Sequence, residues 1–108
     1  MPASTKDRLA IEVEERWLDF LGALSDKRKY PVRQFRAFWD AANRYAEQTK
    51  RDPLIHRAVV NAVNGLTDSL IRDRKQVPAQ VLSDAQRLEC LVFAGYDPYF
   101  EGDEPPEL

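Results

Sequence analysis

Residues 31–46 read PVRQFRAFWDAANRYA, and the spacing of their large side chains decides the fold. Val32, Phe35, Phe38, Trp39, Ala42, Tyr45 and Ala46 recur at intervals of three and four, the period of an α-helix with one apolar face. Arg33, Arg36, Asp40, Arg44 and Glu47 fall on the other side, with Arg36, Asp40 and Arg44 spaced as an intrahelical charge ladder. Pro31 suits the first turn, where its missing N–H goes unneeded. The sequence therefore predicts a helix whose rings face inward and whose ionic groups face water. Burying each ring contributes about 1.5–3 kcal/mol.

The same reading extends in both directions. Toward the N-terminus, Ser4 with Asp7 resembles a capping pair and opens a helix that runs to about Ser25. Its core stripe is Leu9, Val13, Trp17, Phe20, Leu21 and Leu24. Ile11 and Leu18 lie seven apart on the opposite side, among Glu14, Glu15 and Asp19. A loop is expected over Ser25–Tyr30. Toward the C-terminus, Asp52 and Pro53 read as the N-cap and first residue of a third helix ending near Arg74. Its main stripe is Ile55, Ala58, Val59, Ala62, Val63, Leu66 and Leu70. Val60 and Ile71 add a second apolar edge, so this helix is expected to be the most enclosed.

Lys75–Leu82 reads as a connection containing Pro78 and a short helical turn. Ser83 with Gln86 forms a capping box for a fourth helix that packs through Ala85, Leu88, Leu91 and Val92. Gly95 is placed to stop it. The result is an all-α fold, a compact antiparallel bundle of about four helices. It forms one domain over residues 1–100, followed by an acidic tail over 101–108 that is expected to be solvated.

Composition narrows the chemistry. The chain has 108 residues with one His and one Cys. Cys90 alone forms no intrachain disulfide, and one His with one Cys is too few for a zinc site. Met1–Leu9 lacks the apolar run of a secretion signal, and no stretch approaches the roughly 20 apolar residues that span a bilayer. A cytoplasmic protein without a membrane segment or cofactor is the expectation. His56 reads as an edge histidine near the Asp52 cap. Cys90 reads as a small apolar residue. Glu12, Glu14, Glu15 and Asp19 read as a solvated face, because helical di-metal sites need Glu-x-x-His pairs. Asn61 and Asn64 read as an exposed face of the third helix.

Charge carries the functional signal. Residues 27–57 hold nine Lys/Arg and three Asp/Glu, a local +6, whereas residues 77–108 hold Arg87 and seven acids, a local −6. The whole chain nets −2. Blocks of this kind steer partners and do no chemistry of their own. With no catalytic constellation in view, the sequence predicts a non-enzymatic interaction or regulatory module that binds another protein.

The expected contact residues are Lys27, Arg28, Lys29, Arg33 and Arg36 of the basic middle, together with Ile11 and Leu18 on the outer face of the first helix. Tyr96, Tyr99 and Phe100, rich in hot-spot residue types, complete the set. Ile11 and Leu18, with Cys90 and Phe93 placed similarly on the fourth helix, suggest a self-complementary patch and a homodimer. The alternative is a nucleic-acid-binding regulator that uses the basic 27–36 segment. It ranks lower, because the neighbouring rings are spaced for the core and no helix-turn-helix is visible.

Overall fold

A computed structural model describes residues 4–25, 29–50 and 52–97 of the chain. The described residues are all-helical: α1 (Thr5–Leu24), α2 (Val32–Thr49), α3 (Arg57–Arg72) and α4 (Ala79–Glu89), without a strand. A turn of 3₁₀ helix (Arg74–Gln76) joins α3 to α4, and a π-helical turn (Cys90–Ala94) extends α4. The body measures 40 × 38 × 19 Å. Its short dimension is less than two helix diameters with side chains, so most helices keep one face toward solvent.

Helix α2 is the spine. It packs chiefly on α1 and also on α4 and the π turn, while α3 lies against α1 and α4. Phe35, Phe38, Ala42 and Tyr45 are fully buried, and Trp39 is 7% exposed. The rings therefore face inward as the period requires. Val32 departs from the stripe at 45% exposed, because it sits in the first turn, beyond the end of the core. On α1 the sequence signals also hold: the Ser4 hydroxyl accepts from the Asp7 N–H at 3.1 Å. Val13 and Phe20 are fully buried and Leu9, Trp17 and Leu24 pack against the core, whereas Leu21 is exposed.

Trp17 reaches α3 through a gap left by Gly65. A Cβ at 65 would stand 2.6 Å from Trp17 Cζ2. The ring is further wedged against Phe20 at 5.7 Å and Phe38 at 5.4 Å between centroids. Close approach of α1 to α3 thus depends on a missing methyl group.

Two boundaries differ from the sequence reading, each for a physical reason. Helix α3 begins at Arg57, because the groups expected to start it are engaged elsewhere. The Asp52 carboxylate accepts from the Leu54 N–H at 2.9 Å, an Asx-type turn, and also pairs with Lys6 at 2.5 Å. Lys6 also binds the Leu54 carbonyl at 2.7 Å, and the His56 N–H donates to Tyr45 Oη at 2.7 Å. Helix α4 begins at Ala79, directly after Pro78, so Ser83 and Gln86 lie inside it and do not cap it.

Helix α3 is also less enclosed than α2: Ile71, expected at a buried edge, is 72% exposed. Gly95 does end the fourth helical segment. It is left-handed, φ +73°, and a Cβ there would meet the Lys50 carbonyl oxygen at 2.9 Å.

Candidate interaction surface

The basic middle divides into committed and uncommitted charges. Arg36 Nη2 lies 2.7 Å from Asp84 Oδ2, and Asp84 is buried. Gln80 Nε2 takes the other Asp84 oxygen at 2.9 Å, and Trp39 Nε1 donates to the Asp84 carbonyl at 2.8 Å. Arg44 reaches across to Glu12 at 2.5 Å. The expected ladder along α2 is thus replaced by pairs to α4 and α1, because the arginines lie within reach of carboxylates on neighbouring helices. Arg36 belongs to a buried-carboxylate cluster, with its side chain about half exposed.

Lys29 and Arg33 remain exposed beside a cleft of 380 Å³ that also includes Tyr30 and Gln34. Lys27, Arg28, Tyr99, Phe100 and the acidic tail lie outside the described residues. Tyr96 is half-buried with its phenol oxygen 3.6 Å from Cys90 Sγ, and its hydrogen bonding to Cys90, and secondly the charge there, push the Tyr96 pKa up. Ile11 and Leu18 point outward from α1, at 54% and 59% exposed. Phe93 is also exposed and lines a separate cleft with Thr49, Lys50, Asp52 and Ile55.

His56 is better integrated than an edge residue near a cap. Its Nδ1 lies 2.9 Å from Tyr45 Oη and its Nε2 lies 2.7 Å from Asp7 Oδ1. Tyr45 Oη also accepts from the His56 backbone N–H, so the imidazole bridges Tyr45 and Asp7 with its own main chain tied to the same phenol. The bond from His56, and secondly that from Ser4, holds the Asp7 carboxyl below its ordinary range.

An Asp–His–hydroxyl line has the order of an activated nucleophile. However, Tyr45 is fully buried and shut off from any substrate. The line instead ties α1, α2 and the lead-in to α3 together. Among the described residues, no group of three or more His, Cys, Asp or Glu side chains is placed to hold a metal ion. No helix among them is long and apolar enough to cross a membrane.

An apolar concavity lies away from the expected contact residues. Thr67, Leu70, Ile71 and Arg74 face Leu82, Ala85, Gln86 and Glu89 across a groove of 450 Å³. Each set follows the i, i+3, i+4, i+7 spacing of one helical face. Leu70 and Ala85 form a buried floor, Leu82 is half-buried, and Ile71 stands at the lip. Thr67 and Glu89 close one end with a hydrogen bond.

At the other end a second cleft of 370 Å³ continues past Ile71 and Arg74 to Arg72, Asp73 and Lys75. Arg72 approaches Asp73 at 3.9 Å. Arg74 and Lys75 have no carboxylate partner among the described residues.

The sequence carries part of this signal, since Ile71 falls on a second apolar edge of α3. Periodicity does not tell that, among the described residues, none covers that edge.

No family model matches this chain, and no match to it was found among curated proteins or solved structures.

Proposed function

We propose that the chain is a non-catalytic protein-interaction module whose docking face is the groove between α3 and α4. One observation carries this reading: an isoleucine 72% exposed at the lip of a 450 Å³ cleft with a leucine and alanine floor. Single exposed apolar residues are ordinary. One continuous with a concave apolar floor has the form of a binding groove. The volume falls within the range of ligand-binding clefts, roughly 300–1,000 Å³. The lone cysteine is in keeping with a reducing cytoplasm as its setting.

The nucleic-acid alternative loses support from the placement of its residues. Arg36 is held by Asp84, and Phe35, Phe38 and Trp39 are too buried to stack on bases. Ile11 and Leu18 favour a second contact, between copies of the chain, and a monomeric mass by light scattering at high micromolar concentration would remove it.

The groove is tested by panning a random 12-residue peptide library on the immobilised protein. Selected peptides are expected to lose about tenfold in affinity on Ile71→Gln, the scale of a hot-spot truncation. Peptides that bind the variant as tightly as the parent would overturn the reading.

A further inference from the structure

Resting on that docking face, we infer that its occupant is a short amphipathic helix that carries carboxylates at the end lying over Arg74 and Lys75. Three observations lead there. First, the groove is walled by two α-helices whose backbone groups are already paired within them, so no strand edge is offered to an extended peptide. An occupant must satisfy its own backbone, and a helix does so.

Second, Thr67 to Arg74 spans about 10 Å along the axis, close to two helical turns. That length accommodates apolar anchors spaced i, i+3 or i+4 and i+7 between Ile71 and Leu82.

Third, the two ends differ in charge. At the Thr67 end the Glu89 carboxylate is engaged by the Thr67 hydroxyl. At the other end Arg72, Arg74 and Lys75 line one cleft with Asp73, whose carboxylate Arg72 approaches at 3.9 Å. Among the described residues cations exceed carboxylates here, an excess that suits an acidic occupant and fixes the direction in which it lies. Specificity then comes from the ends and affinity from the floor.

The test uses the library-selected peptides on the full chain. Clones whose binding depends on Ile71 are sequenced and titrated against the double variant Arg74→Glu/Lys75→Glu. The expected clones are helical when bound, by circular dichroism, with apolar residues at helical spacing and Asp or Glu clustered at one end. Charge reversal should weaken them about tenfold at low salt, and the loss should shrink as ionic strength rises.

Ile71-dependent clones that lack acidic residues, or that bind the reversed variant equally well, would overturn the inference and leave the groove standing. Ile71-dependent clones that stay extended when bound would also overturn it. Clones indifferent to Ile71 would sink the groove itself. All three substituted positions are exposed, so an unchanged urea midpoint establishes that each variant is folded.

Discussion

Two corners of the molecule combine arginines with a large apolar side chain, and they have opposite fates. At the first, Trp39 lies between Arg36 and Arg87, whose guanidinium carbons sit 5.6 and 5.3 Å from the ring centroid. Asp84 takes Arg36, and Asp97 takes Arg87 in a two-pronged pair at 2.9 and 2.6 Å. At the second, Ile71 stands beside Arg72, Arg74 and Lys75, with Asp73 as the one carboxylate opposing them among the described residues. Composition does not separate these corners. What separates them is whether the described residues supply carboxylates for the arginines and an acceptor for the indole N–H. Where they do, the corner is closed; where they do not, its cations and its isoleucine are exposed.

The contrast breaks most readily at the closed corner. Trp39→Ala is expected to cost about 3–5 kcal/mol, from lost burial and the remaining cavity, read as a lower urea midpoint. An unchanged midpoint would mean that the closed corner is not part of the core. Asp84→Ala removes the partner of both Arg36 and Gln80. It is expected to cost about 1–2 kcal/mol, the lower part of the usual range, because Arg36 is half-exposed and regains water. A cost near zero would erase the distinction between the two corners.

Asp73, the lone carboxylate of the open corner, provides a sharper probe. Burial, and then the charge of Asp73, push the Tyr30 phenol up from its ordinary value of 10 to about 12. For an acid raised on folding, the unfolded chain ionises first. The associated stability is complete below pH 10 and is lost as pH rises through about 12. The urea midpoint should therefore fall over that window, and Tyr30→Phe should flatten the fall. Asp73→Asn should bring the phenol's ultraviolet titration to lower pH; no movement would mean that the Asp73 charge does not reach Tyr30.

Smallest of all, Ile71→Gln should change stability by no more than about 0.5 kcal/mol, since the side chain is already in water. A larger loss would place Ile71 in the core and close the second corner.

Much of the architecture was legible in residue order. The aromatic stripe of α2, the Ser4 cap and the Gly95 stop are local signals, and local signals survive in the folded chain. The starts of α3 and α4 were not legible, because Asp52-Pro53 and Ser83 carry genuine capping chemistry that distant groups override. Lys6 lies 46 residues from Asp52 in sequence and takes its carboxylate, and Tyr45 takes the His56 N–H.

The candidate site was read less well for a related reason. Periodicity tells which sides of a helix are apolar, but only packing tells which of those sides is left without a neighbour. Arg36 and Ile71 show this: the arginine pairs with a buried carboxylate, and the isoleucine, expected at a buried edge, faces water.

The contact between Trp17 and Gly65 has an evolutionary consequence. An indole on one helix and a hydrogen atom on another fill a single volume, so the two positions are not free to vary independently. A homologue with alanine at 65 should carry a smaller side chain at 17, and one that keeps tryptophan should keep glycine. This paired constraint, joining sites 48 residues apart, offers a criterion for recognising distant kin whose overall resemblance has faded.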